Sequence, residues 1–148
     1  MKKVLFLCTG NSARSQMAEG LVNHYLGERW RAFSAGTEPA GDVHPLAVRV
    51  MAEMGIDISH HRSKSTDEFR NEALDLVVTV CDDAAENCPL WLPAAAPGAQ
   101  GGEGRRVHLG FPDPARAEGS EAELLAVFRG IRDQIRWAVF DLLVNGNQ

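Results

Sequence analysis

A doubly wound α/β fold, with four parallel strands in the order 2-1-3-4 and helices on both faces, is what this sequence predicts, and three observations carry that expectation. Short apolar runs alternate with stretches whose apolar residues recur at helical spacing, the pattern of strand–helix–strand units joined by right-handed crossovers. The stretch Leu74 to Val80 is almost continuously apolar, as suits a central parallel strand covered on both faces. The first apolar run, Val4-Leu5-Phe6-Leu7, leads through Cys8-Thr9-Gly10-Asn11-Ser12-Ala13-Arg14-Ser15 straight into a helical pattern. Sheets of this kind bind ligands beyond the carboxyl ends of their strands, where strand order reverses. With 148 residues, 45% of them hydrophobic, the chain suits one core, and a single domain over residues 1–148 is expected.

The elements follow in order. After the first strand, Met17, Ala18, Leu21, Val22 and Tyr25 mark a crossover helix, with Gly27 as its expected C-cap. Trp30 to Ala35 reads as the second strand, turning into a polar loop at Gly36-Thr37. His44-Pro45 opens a helix with proline in its tolerated first turn, Leu46, Val50, Met51 and Met54 form its apolar stripe, and Gly55 stops it. Asp57 to Lys64 is polar and carries His60-His61, read as solvated loop histidines because adjacent side chains diverge on most backbones; Thr66 to Phe69 looks like a short capped helix. The third strand ends at Cys81, and Asp82 to Pro89 resembles a first helical turn broken by proline, with Cys88 beside the break. Leu92 to Gly104 is rich in Ala, Gly and Pro and reads as a surface loop. Arg106 to Leu109 is a short fourth strand delivering Gly110-Phe111-Pro112-Asp113-Pro114, where two prolines restrict one aspartate. From Ser120, with Glu123 in capping-box spacing, Leu124, Leu125, Phe128, Ile131, Ile135, Val139 and Leu142 define a long amphipathic helix.

Five residues separate Cys8 from Arg14. That spacing lets the backbone of Thr9, Gly10, Asn11, Ser12 and Ala13 curl around a tetrahedral oxyanion with its N–H groups inward, while Arg14 returns to clamp two oxygens. Cys8 then lies at the bottom of the cup, where the helix dipole and the guanidinium favour the nucleophilic thiolate, and Ser15 can hydrogen-bond the sulfur. Cys8 and Cys81 end neighbouring strands, about 4.8 Å apart, so a modest loop movement brings them within bonding reach.

Cys8 to Ser15, taken with Asp113-Pro114, resembles the low-molecular-weight protein tyrosine phosphatase superfamily. Ser15-Gln16-Met17-Ala18-Glu19-Gly20, Ser34-Ala35-Gly36, Gly55-Ile56-Asp57-Ile58-Ser59 and Cys88-Pro89 extend the likeness over the chain, and Cys81 and Cys88 stand where its thioredoxin-coupled arsenate reductases keep their second and third redox cysteines. The resemblance implies that Cys8 attacks arsenate while Arg14 and the loop hold the oxygens, and that Asp113 protonates the leaving hydroxide. Cys81 then attacks Cys8, releasing arsenite, and Cys88 attacks Cys81, passing the disulfide outward to thioredoxin, itself served by thioredoxin reductase and NADPH. Cys81 and Cys88 in one regular helix would lie about 10.5 Å apart at ~1.5 Å per residue, whereas a disulfide spans about 4.4–6.8 Å. The segment Asp82 to Pro93 is therefore expected to loop or unwind on oxidation. Some relatives bind potassium beside the loop through residues matching Asn11, Glu19 and Ser34 and a further carboxylate; this chain has Lys64 at that last position. Leu109 also stands where relatives often have tryptophan, and Ala94 to Gly104 is longer and richer in Gly and Ala than usual.

Other readings compete. A phosphatase needs only Cys8, Arg14 and Asp113 but here lacks paired tyrosines after the aspartate; a reductase coupled to a small thiol such as glutathione needs fewer cysteines; a zinc or redox module would prefer a Cys-x2-Cys pair, which is missing. The net charge of −5 gives no support for nucleic-acid binding, and no segment approaches the length of a membrane span. A cytoplasmic monomer without cofactor or metal, carrying three cysteines for chemistry rather than for a disulfide framework, is expected.

Overall fold

The computed structural model describes residues 1–81 and 105–145. Four parallel strands form one sheet in the order β2-β1-β3-β4: β1 Lys2–Cys8, β2 Trp30–Gly36, β3 Leu76–Thr79 and β4 Arg105–His108. Val4 to Cys8 of β1 and every residue of β3 are buried. Strands that bury alternate side chains on both faces need apolar residues throughout, which is why these two read as unbroken runs.

Among the described residues three α-helices accompany the sheet: α1 Arg14–Tyr25, α2 Pro45–Ala52 and α3 Glu121–Phe140. All three touch one another, and α1 also packs on β1 and β2. The stripe Leu125, Phe128, Ile131, Ile135 and Val139 of α3 is buried, spaced at three and four residues as one helical face requires. Ser120 and Glu123 form the expected capping box, and His44 caps α2 by accepting the Leu46 N–H at its Nδ1 (3.1 Å). Gly55 stops α2 at φ +78°. The short capped helix expected over Thr66–Phe69 is a 3-10 turn, and its cap is Ser65.

Gly27 is not the C-cap of α1. Leu26 closes the helix, and a Cβ at Gly27 would stand 2.5 Å from the Asn23 carbonyl oxygen; the glycine there permits a close approach rather than a left-handed turn. β3 stops at Thr79, before Cys81, although the Val80 N–H still donates to the Leu7 carbonyl (2.8 Å).

The register brings the carboxyl ends of the strands together. Cys8 pairs with Gly36, Leu7 with Thr79, and Thr79 with His108. The chain leaving β4 is then fastened to the end of β3, Leu109 N–H donating to Thr79 O (2.8 Å) and Phe111 N–H to Val80 O (3.1 Å). Cys8, Cys81 and the loop bearing Asp113 therefore meet at one end of the sheet.

Candidate active site

The loop after β1 is held from outside by its own carbonyls. Cys8 O, Thr9 O, Gly10 O and Ser12 O accept from the N–H groups of Thr37, Glu38, Ala40 and His44 (2.8–3.2 Å), and Ser63 Oγ donates to Gly10 O as well (2.8 Å). Fixing the carbonyls against that segment leaves the loop N–H groups to serve an anion. Two residues make the tight curl possible. Asn11 takes φ +52°, a left-handed conformation that asparagine tolerates; Gly36 lies so close that a Cβ would meet Thr9 O at 2.6 Å.

At the bottom of the cup Cys8 is buried, and its Sγ accepts from the Asn11 N–H (3.1 Å) and lies 2.8 Å from Ser15 Oγ. Asn11 Nδ2 donates to Ser15 Oγ (2.8 Å), which leaves the serine's own proton for the sulfur. Both bonds thus point donors at Cys8, the arrangement that suits a sulfur acting as an anion.

Arg14 is at the rim. Its Nη1 donates to the Phe111 carbonyl (3.0 Å) and its Nη2 lies 3.7 Å from Asp113 Oδ2. Asp113 uses its carboxylate twice: Oδ1 accepts from the Ala115 N–H (3.0 Å), capping the turn Pro114–Arg116, while Oδ2 faces Arg14 and lies 3.8 Å from Arg116 Nε. One oxygen shapes the loop and the other is turned to the guanidinium at the cleft. Cys81 is 6% exposed, with Sγ 3.4 Å from Thr9 Oγ1, and neither it nor Cys8 is in a disulfide. Cys8, Thr9, Gly10, Ser12, Ala13, Arg14, Cys81 and Asp113 all line a single cleft. Cys88, and with it the expected unwinding of Asp82 to Pro93, lies outside the described residues; so do the surface loop and the helical turn expected there.

Behind the loop stands a network that residue spacing did not reveal. Gln16 is fully buried; its Nε2 donates to Asn11 Oδ1 (3.0 Å) and Arg62 O (2.9 Å), and its Oε1 faces His61 Nδ1 at 2.9 Å. Since that oxygen can only accept, His61 carries its proton on Nδ1. The expectation of solvated histidines fails for His61, whose side chain is 13% exposed with Nε2 4.0 Å from Glu19, and holds for exposed His60. Burial pushes the His61 imidazole below its usual range, against the opposing pull of Glu19. Lys64 joins the network twice, its N–H donating to Asn11 Oδ1 (2.8 Å) and its ammonium standing 3.8 Å from Glu19. The only sequence signal for it was the polar stretch Asp57 to Lys64; the bridge between Gly36 and Ser65 that ties the end of that stretch to β2 is visible only in the fold. Among the described residues, no three histidine, cysteine or acidic side chains converge as metal ligands, and no helix is long and apolar enough to cross a membrane.

Comparison with known proteins matches residues 3–146 to the model of the low molecular weight phosphotyrosine protein phosphatase family. The chain is 48% identical over 134 residues to an arsenate reductase of Bacillus subtilis (strain 168), covering 90% of this chain and 89% of that one. It is 51% identical, with the same coverage, to an arsenate reductase of Halalkalibacterium halodurans. Among solved structures it is similar to an arsenate reductase in the oxidized state, at TM-score 0.78 and 31% identity over 99% of this chain and 100% of that one. It is also similar to a low molecular weight protein tyrosine phosphatase from T. tengcongensis, at TM-score 0.70 and 27% identity over 98% and 99% of the two chains.

Proposed function

The chain belongs to the low molecular weight phosphotyrosine protein phosphatase family, and from that premise we propose that it is an arsenate reductase working through a three-cysteine relay. The observation that carries this reading is the second thiol: Cys81 lines the same cleft as Cys8, where a phosphatase requires one sulfur only. The names of the relatives at 48% and 51% identity point the same way.

The chemistry runs as follows. Cys8 Sγ attacks the arsenic of arsenate, held by the loop N–H groups and by Arg14, which exchanges its contacts to Phe111 and Asp113 for the anion's oxygens. An As–O bond breaks, and Asp113 gives the departing hydroxide a proton, so that it leaves as water. Cys81, as thiolate, then attacks Cys8 Sγ; the electron pair of the As–S bond stays on arsenic, reducing it by two electrons as arsenite departs and a Cys8–Cys81 disulfide forms. Cys88 attacks Cys81, restoring the Cys8 thiol, and thioredoxin reduces the Cys81–Cys88 disulfide by thiol–disulfide exchange. Phosphate enters the same cup but accepts no electrons, so only slow hydrolysis through Cys8, Arg14 and Asp113 remains open to a phosphomonoester. The enzyme acts as a cytoplasmic monomer in this reading, with one domain over residues 1–148 and no cofactor of its own.

Arsenate-dependent NADPH oxidation with thioredoxin and thioredoxin reductase tests it. Cys8→Ser is expected to abolish both reduction and phosphatase activity; Cys81→Ser and Cys88→Ser are expected to lose multiple turnover and keep phosphatase activity. Sustained cycling by Cys81→Ser would overturn the relay.

A further inference from the structure

The carboxylate of Glu19 lies behind the thiol loop with its side chain only 15% exposed. Ser34 Oγ donates to its Oε1 (2.5 Å), His61 Nε2 is 4.0 Å from its Oε2, and Lys64 Nζ is 3.8 Å from its Oε1. A largely buried carboxylate needs a compensating positive charge near it. His61 does not supply one while neutral, and its Nδ1–H is already engaged with Gln16. Arg62, the next cation along the chain, is turned away to Glu68.

Lys64 is built into the place. Its side chain is 14% exposed, its ammonium also donates to the Arg62 carbonyl (3.1 Å), and its backbone N–H is anchored on Asn11. Burial lowers its basicity and Glu19 restores part of it. The alkali-cation site that the resemblance implies does not fit these residues. Asn11 Oδ1 is already accepting from both Gln16 and Lys64, the carboxylate expected at position 64 is replaced by a cation, and a second positive charge would sit beside the ammonium.

We propose that the Lys64 ammonium is a covalently attached counter-ion for Glu19, occupying the role of a bound alkali cation and making the protein indifferent to potassium. The neighbouring charges count accordingly: Glu19 and Lys64 cancel, and Arg62 and Glu68 cancel each other further out. Removing the lysine leaves Glu19 uncompensated, and an aspartate there recreates an acidic pair that a potassium ion can neutralise.

Thermal unfolding of the whole chain in potassium chloride and in choline chloride at equal ionic strength decides the matter, with no arsenate or thioredoxin present, so that its outcome is separate from that of the reductase reading. Wild-type Tm is expected to be the same in both salts. Lys64→Asp is expected to melt several degrees lower in choline and to regain part of that loss in potassium. Lys64→Gln, which keeps the backbone bond to Asn11, guards against an Asp variant that fails to fold and is expected to show the same sense of response, smaller in size. A wild-type Tm that rises with potassium over choline, or variants whose melting ignores the choice of cation, would overturn the proposal.

Discussion

Asp113 shows how one side chain serves two masters. Its Oδ1 is spent on the Ala115 N–H and its Oδ2 is directed at Arg14. Asparagine can reproduce the first contact and cannot donate the proton that the second position would deliver. Asp113→Asn is therefore expected to slow the first chemical step by roughly 10²–10⁴-fold with Tm unchanged, measured by single-turnover arsenate reduction beside thermal unfolding; near-full activity would reduce Asp113 to a turn former. His61 makes a different prediction. Burial holds its folded-state basicity below the ordinary value of 6.5, with Glu19 opposing, so the unfolded chain takes up a proton first as pH falls. Stability attributable to His61 is thus present above 6.5 and drains away as pH drops toward the lower folded value. His61→Gln, which retains an N–H for Gln16, is expected to flatten the fall in denaturation free energy on going from neutral to mildly acidic pH, read by urea titration at each pH. An unchanged slope would mean that other groups carry it, His44 first among them, since it too is depressed by burial.

Elements carry their own consequences. The end of β2 is wedged against the thiol loop at Gly36, where the smallest added side-chain atom meets Thr9 O at 2.6 Å. Gly36→Ala must push either the strand or the loop aside, and a displacement on the scale of 1 Å costs on the order of 10²-fold in rate; a loss of that size in arsenate reduction is expected, larger than any change in secondary structure seen by circular dichroism. Helix α3 offers the contrasting case. Its capping box is remote from the cleft, and Ser120→Ala is expected to remove about 0.5–2 kcal/mol of stability while leaving kcat alone, as parallel urea melts and assays would report.

At the scale of the molecule, the proposed relay implies a stoichiometry. The chain holds three cysteines, and under that proposal a single turnover without thioredoxin consumes two thiols for each arsenite released. Titration with a thiol reagent after such a turnover is expected to find one reactive sulfur per denatured chain instead of three. How far all this was readable beforehand depends on the range of the interactions. The strand-loop-helix unit around Cys8 and the capping box of Ser120 depend on residues close in sequence, so each was legible, whereas crossover handedness leaves several strand orders open and the order 2-1-3-4, which the sheet has, was a choice among them. The brace formed by Gln16, His61 and Lys64 joins residues more than forty positions apart, and periodicity carries no trace of such a contact. Gly27 misled for a related reason: glycine at a helix end signals a left-handed cap or a tight approach with equal force, and only packing against Asn23 distinguishes them.

The tie between Arg14 and the main-chain oxygen of Phe111 has a further meaning for how this cleft tolerates mutation. A contact made to backbone survives whatever side chain position 111 carries, so an alanine placed at position 111 passes over it in silence. Drift at position 111 is free to reshape the mouth of the cleft for new substrates while the arginine stays aimed, and the aim is lost only when the arginine itself is replaced or the chain between β4 and Asp113 changes length.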